Sequence, residues 1–392
     1  MDHLNRTLSE FNVGETMIRK MTRLANEHGA VNLSQGFADY DTPDEVKEAA
    51  VAAIRGGYNQ YSYTFGVPEL RAAIAQKALS FNGIEAIDPE DIVVTLGATE
   101  AIMTVLKTVS NPGDEVVFFE PFHEAYVPQC QLLGLTPRTV TIDPLSMTYD
   151  AQALEDCISD RTVAILLNTP HNPTGKVFGL EELEHIADLA RRRNLLVITD
   201  EIYEHIVYGG ARHISIATLP GMRERTFTTN ALSKTYVATG WRVGWVICPP
   251  AYTQHVRVIH DVSVIQAPTP LQIAGVSALS LPDSYYEALP EFYQVRRDLL
   301  LEGLREAGFV CSAPAGSYYI MAGFSRLDSD STSLEFAMRL LTESKVAAVP
   351  GSNFYLTPGR GEQEVRFAFC KRLETIERAV ANLRSLSPAK SG

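Results

Sequence analysis

From Glu45 onward, short uninterrupted apolar runs alternate with amphipathic stretches. Residues 69–80 (ELRAAIAQKALS) space their apolar positions as an amphipathic helix does, and DIVVTLG from Asp91 reads as a short buried strand. ATEAIMTVLKTV predicts the next helix, DEVVFFEP from Asp114 the next strand, and TVAILLNTP from Thr162 a third. Residues 180–193 then predict a helix, with Leu183, Ile186, Ala187 and Ala190 at i, i+3, i+4 and i+7. Its acidic start (Glu181, Glu182, Glu184) and basic end (Arg191, Arg192, Arg193) suit the helix dipole. NLLVITDE from Asn194 and RVGWVICPP from Arg242 supply further strands.

This alternation predicts an α/β fold around a mostly parallel sheet, in which ligands sit beyond the carboxyl ends of the strands. After Pro282 the texture changes. A long helical stretch (287–306) precedes AGSYYIMAGF and later VRFAFCK, strands with polar and aromatic alternation. The expected division is a large domain over 45–282 and a smaller α+β domain built from 1–44 and 283–392.

Composition narrows the function. A formal charge of −13 argues against nucleic acid or an anionic membrane as partner, but leaves room for a local basic pocket. The start, MDHLNRTLSEF, lacks the basic-then-apolar pattern of a signal peptide, and no apolar run is long enough for a membrane span. Five scattered cysteines, none in a Cys-x-x-Cys pair, fit reduced thiols in a cytoplasmic protein better than disulfides or zinc. The histidines show no metal spacing.

The strand-end rule then selects residues. Gly97-Ala98-Thr99 opens a helix after a strand, a geometry that suits a phosphate. The loop from Thr169 to Gly175 is stiffened by prolines around Asn172. Asp200 and Tyr203 stand three apart after another strand. Asp200 alone reads as an ordinary N-cap, and Lys234 alone as a solvated lysine. Together, a phosphate nest, an amide, an acid, a phenol, Lys234 and Arg242 match the groups of one aromatic phosphate cofactor.

HNPTG, TDEIYEH, SKTYVATGWRVGW and VRFAFCK, in this order and spacing, resemble the class I/II aminotransferases, fold-type-I enzymes dependent on pyridoxal 5′-phosphate. The likeness spans essentially the whole chain. NLSQGF, NQYSYTFG and NTPHNPTGKVF bring it nearest the kynurenine and glutamine transaminase branch.

The resemblance implies a large domain with a seven-stranded sheet, a smaller domain, and a homodimer with shared active sites. Lys234 would carry the cofactor as a Schiff base and then move the donor's Cα proton, a step typically worth ~10²–10⁴-fold. Asp200 would pair with the pyridine nitrogen, while Asn172 and Tyr203 would bond the phenolic oxygen. Arg242, Ser233 and the backbone of Gly97, Ala98 and Thr99 would hold the phosphate, joined by Tyr61 of the other subunit. Arg366 would clamp the substrate carboxylate in a bidentate pair, with Gly36 closing over it and Asn172 alongside. The implied reaction moves the amino group of an L-amino acid to a 2-oxo acid.

Three positions depart from the family pattern. His123 stands where an aromatic ring usually faces the cofactor, and reads either as a stacking substitute or as a proton carrier. Ala231 replaces a frequent phosphate-binding serine, a contact that Thr269 of the neighbouring subunit would supply. Ser263 and Thr99 fill places where dicarboxylate-specific relatives carry basic residues, although Arg257 and His260 lie nearby. The expected donors are therefore neutral, aromatic or sulfur-containing. The alternative is elimination, replacement or carbon–carbon bond formation on the same scaffold, for example on S-adenosylmethionine in a biosynthetic pathway. A cofactor-sensing regulator and a nucleotide dehydrogenase fit less well, the first lacking a basic DNA-binding segment and the second a Gly-x-Gly-x-x-Gly turn.

Overall fold

The computed structural model of the chain describes residues 15–384 and Leu386. Of the segments expected in the smaller domain, residues 1–14, 385 and 387–392 lie outside these. Twelve strands are named in chain order. They are β1 (Val31–Asn32), β2 (Ile92–Thr95), β3 (Glu115–Glu120), β4 (Thr136–Thr141), β5 (Thr162–Asn168) and β6 (Leu196–Asp200). Then come β7 (Thr226–Ala231), β8 (Gly244–Ile247), β9 (Tyr319–Gly323), β10 (Val346–Ala347), β11 (Val349–Pro350) and β12 (Glu364–Ala368).

Seven of them form one sheet in the order β2-β8-β7-β6-β5-β3-β4. β4, β3, β5, β6 and β7 run parallel, and β8 runs antiparallel to both of its neighbours. The sheet is α/β and mostly parallel, as the alternation predicts. Every residue of β2, β3, β7 and β8 is buried, because helices cover both faces.

Two of these strands escape the hydrophobic pattern for opposite reasons. β7 reads TFTTNA, yet it is central and wholly buried. Two of its polar side chains are absorbed locally: Thr229 Oγ1 donates to Thr199 O at 2.5 Å and Asn230 Nδ2 to Glu201 O at 3.2 Å, while Thr226 Oγ1 is buried without a partner among the described residues. A buried strand need not be apolar when most of its polar groups are paired. β4 reads TPRTVT and lies at the edge, half exposed, where its proline costs no ladder bond.

The predicted helix at 180–193 is observed at Leu180–Arg192, with Leu183, Ile186, Ala187, Leu189 and Ala190 buried. Beyond β8 the chain builds a separate antiparallel sheet, β11-β12-β9, and the parallel pair β1-β10. Around these sits an apolar cluster that runs from Met21 and Val31 to Phe336, Phe367 and Leu383, and it also takes in Tyr203 and Tyr208. Thus the first described residues and the last ones share a core, and the Tyr203 turn is packed into it.

The Asp283–Glu306 helix crosses Leu373–Leu383 at Gly303, where an added Cβ would come 2.4 Å from Val380. Gly303→Ala should destabilise the fold although alanine gains ~1 kcal/mol of helix propensity, because overpacking costs ~1–3 kcal/mol. Urea unfolding measures this. Adding Val380→Ala should recover part of the loss if the contact is the cause.

Candidate active site

The carboxyl ends of β5, β6 and β7 and the turn after β2 open onto one cavity. Asp200, the last residue of β6, is buried beneath it. Its Oδ2 accepts from Tyr126 Oη at 2.7 Å; the Ile202 backbone N–H lies close enough to favour the charged form, but Oδ1 is buried without a well-aligned hydrogen bond among the described residues. Burial pushes this carboxyl up to about 6. A carboxylate so placed is short of one donor, and a cationic N–H facing Oδ1 would supply it.

Lys234 lies three residues past β7. Its Nζ donates to Gly36 O at 3.0 Å and stands 5.9 Å and 5.6 Å from the ring centroids of Tyr203 and Tyr318. Burial pushes its ammonium down to about 8, so a useful fraction is the neutral, nucleophilic amine near physiological pH. Tyr203 Oη lies 3.1 Å from Tyr319 Oη, and burial holds the Tyr203 hydroxyl well above its ordinary range, keeping it a donor.

At one end of the cavity Gly97 precedes the Ala98–Val109 helix with φ +78°. Arg242 passes so close that a Cβ on Gly97 would fall 2.4 Å from its Nη2. Gly244 leaves the matching space from below, since its Cβ would meet Gly97 Cα at 2.6 Å. The guanidinium donates to Leu96 O at 3.0 Å and Thr239 O at 3.1 Å, from a residue with φ +55°. Arg242 beside the free N–H groups of a first helical turn, with Ala98, Thr99, Ser233 and Thr239 on the wall, offers the kind of donors that suit a phosphate.

Behind the cavity residues Asn172 and Tyr319, Arg366 of β12 is buried between the rings of Tyr319 (4.3 Å) and Phe354 (4.7 Å). Its Nη1 donates to Asn172 Oδ1 at 3.0 Å and its Nη2 to Ser34 O at 2.8 Å, and Nε has no partner among the described residues. Only neutral groups answer this buried cation, which leaves it wanting an anion. Asn172 is itself fixed, its N–H donating to Asn168 Oδ1 at 2.7 Å. Gly36 must be glycine, since a Cβ there would fall 1.9 Å from Tyr319 Oη.

His123 lines the same cavity, edge-on to Tyr126 at 5.4 Å, with Nδ1 buried and unpartnered among the described residues. Burial, with Arg366 and Lys234 nearby, pushes it down to about 3, so it is a neutral imidazole at physiological pH. Within a chain of charge −13, Lys234 and Arg242 line the cavity together with the buried carboxylate of Asp200, and Arg366 abuts it through Asn172.

Other residues singled out above stand apart. Tyr61 is 77% exposed and lines a surface hollow with Tyr58, Tyr63 and Thr269, away from this cavity. Arg257 pairs with Glu90 at 2.9 Å, and buried His260 sits between Glu100 and Thr64 O, so both side chains are engaged away from the site. Ser263 is exposed, and Ala231 is buried. Conversely, Tyr126, Asn168, Thr239, Tyr318 and Tyr319 belong to the site without having been singled out. Asn168 ends β5 and the strand-end rule points to it. Tyr126 lies inside a helix, where nothing in the local pattern marks it.

Asp200→Asn should stabilise the cofactor-free chain at pH 8. The native carboxyl, with its folded pKa raised to about 6, is penalised in its charged form, and that penalty grows as pH rises from the usual carboxylate range through 6. Removing the charge should gain on the order of 1–3 kcal/mol at pH 8 and almost nothing at pH 4, read by thermal unfolding at both.

Comparison with known proteins follows from this geometry. Residues 28–383 match the family described as aminotransferase class I and II. Over 384 residues, 95% of this chain and 96% of the other, the chain is 39% identical to a probable N-succinyldiaminopimelate aminotransferase of Mycobacterium tuberculosis. It is 34% identical to a methionine aminotransferase of Escherichia coli (95% and 96% covered) and 35% to human kynurenine–oxoglutarate transaminase 1 (93% and 94%). A solved N-succinyldiaminopimelate aminotransferase from M. tuberculosis superposes with a TM-score of 0.93 over 98% of this chain and 100% of that one, at 38% identity. The chain belongs to the class I and II aminotransferases, has their fold, and is an aminotransferase.

Proposed function

We propose that this aminotransferase works with pyridoxal 5′-phosphate held in the cavity, and that its donors are neutral, aromatic or sulfur-containing L-amino acids. The observation that carries the cofactor reading is the lone Oδ1 of Asp200, buried on the same cavity as Lys234 and the Gly97–Arg242 cradle. A pyridinium N–H fits the first, an aldehyde the second and a phosphate the third. When bound, the cofactor supplies an amine-exchanging aldehyde and a ring that takes up the electron pair left as the Cα–H bond breaks.

The roles of the chain's own residues follow. Lys234 would hold the aldehyde carbon covalently between turnovers. Displaced by the donor's amine, its Nζ would take the Cα proton and return it, which a lysine pushed down to about 8 does near neutral pH. Asp200 would keep the ring nitrogen protonated. Tyr203 and Asn172 would orient the phenolic oxygen, and Arg242, Ser233, Gly97, Ala98 and Thr99 would hold the phosphate. Arg366 would clamp the donor's α-carboxylate beside Asn172 and Gly36. His123, a neutral imidazole, would stack on the ring and not carry a proton.

The reading includes a homodimer in the cytoplasm, a large domain over 45–282, and a small one from both chain ends. Tyr61 and Tyr63 are exposed on a surface that continues to Val258, Val262 and Ile265 through the bonds of Gln60 and Ser62 to Thr269 and Gln266. An apolar patch of this kind marks an interface, and Tyr61 would reach the partner's phosphate across it, with Thr269 alongside. No helix among the described residues is long and apolar enough to cross a membrane.

Methionine and kynurenine activities named for two relatives support the donor class. So does the engagement of Arg257 and His260 away from the cavity, which takes both from a distal carboxylate. Elimination or replacement chemistry is not favoured, since each relative named above is an aminotransferase. Steady-state assays of methionine, phenylalanine and aspartate with one 2-oxo acid test this. The kcat/KM for methionine or phenylalanine should exceed that for aspartate at least ~10-fold, and Lys234→Ala should lower turnover by ~10²–10⁴ or more. A preference for aspartate would refute the donor class.

A further inference from the structure

Residues 33–37 cross the site as irregular backbone, and their carbonyls are held from one side. Leu33 O accepts from Ala368 N at 2.7 Å and Ser34 O from Arg366 Nη2 at 2.8 Å. Gly36 O accepts from both Lys234 Nζ (3.0 Å) and Tyr318 Oη (2.9 Å). Phe37 O accepts from Lys371 Nζ at 2.7 Å. Two of these donors, Lys234 and Arg366, have chemical duties in the proposed function. When Lys234 is committed to the cofactor and Arg366 to a carboxylate, the segment keeps Ala368 N, Tyr318 and Lys371.

Lys371 is the unusual member. It is 2% exposed, yet among the described residues no carboxylate pairs with its ammonium. Asp39, the nearest acid along the segment, is taken by Arg372 N at 2.6 Å and Thr375 Oγ1 at 2.6 Å. What the ammonium meets instead is the Phe37 carbonyl and, at 4.0 Å, the centroid of the Phe37 ring. Burial pushes it below the ordinary lysine range. Asp39 acts on the ammonium only at a distance, so its direct contacts are neutral, a costly burial directed at one residue of one segment.

The geometry points to Lys371 as a positioning residue: it holds residues 36 and 37 over the substrate carboxylate during the part of the cycle when Lys234 and Arg366 are engaged elsewhere. Arg366 and Lys371 stand five residues apart, so one short stretch both clamps the carboxylate and pins the backbone that closes over it. The inference rests on the proposed roles of Lys234 and Arg366, but the clamp itself has an independent readout.

That readout is limited chymotrypsin digestion of the full chain, with and without cofactor, scored for cleavage after Phe37 or Tyr40. K371M and K371Q should be cut about tenfold faster than the parent, the scale of one lost hydrogen bond to a charged group. K371R, which keeps a cation for the carbonyl and the ring, should restore the slow rate. In assays with methionine, K371M should raise KM about tenfold and leave kcat within about twofold. Comparing two neutral replacements guards against one that fails to fold, and thermal unfolding identifies it. Unchanged cleavage in the folded neutral variants, or raised cleavage with unchanged KM, overturns the proposal. Absence of transamination in the parent chain would refute the proposed donor class and leave the cleavage result to judge the clamp.

Discussion

Asp200 ends the central strand of the sheet with one oxygen held by Tyr126 and the other buried without a well-aligned hydrogen bond among the described residues. Everything around it preserves this imbalance. β5 and β7 flank the strand and bury it, Thr229 and Asn230 of β7 are bonded to backbone carbonyls, and the hydroxyl of Tyr126 holds one carboxylate oxygen. Folding alone is not served by such a carboxyl, whose ionisation costs stability in full above about pH 6. A site that sacrifices stability for a preset electrostatic environment is what catalysis by preorganised charge requires.

The same logic extends to the other charged groups. Arg242 is held in a strained backbone conformation by two carbonyls, and Arg366 is buried between two rings with only an amide and a carbonyl as partners. Among the described residues, the hydrogen-bond partners of both cations are neutral. Their separation in sequence matters, since Arg242 lies in the turn just before β8 of the large sheet while Arg366 belongs to the sheet formed with β9 and β11. Residues 34–37 join the two, accepting from Lys234 on one side and from Arg366 and Lys371 on the other.

Much of this was legible in the sequence, and unevenly so. Apolar strands with nearby helices were read almost to the residue, because burial on both faces forces continuous hydrophobicity. β7 was not, since a strand whose threonines and asparagine bond inward carries no apolar signal, and β4 was missed because edges tolerate polar residues and proline. Lys234, Asp200, Tyr203, Asn172 and Arg242 were found through strand ends and motif order, and they share one cavity wall. Tyr126, Tyr318 and Tyr319 act through packing across distant segments, which no local pattern encodes. Arg257 and His260 show the converse: basic residues near a site in sequence, spent in space on Glu90 and Glu100.

The central claim is that Lys234, Asp200 and the Gly97–Arg242 cradle together bind pyridoxal 5′-phosphate and pass an amino group through it. The most direct measurement is an absorbance scan of the purified chain, reconstituted with the cofactor and titrated with methionine without an acceptor. The account predicts a yellow protein that bleaches on adding methionine, with one equivalent of 2-oxo acid per site, while Lys234→Ala shows no such exchange. A protein that stays colourless after reconstitution, or a yellow one that neither bleaches nor yields 2-oxo acid with any neutral donor, would contradict it.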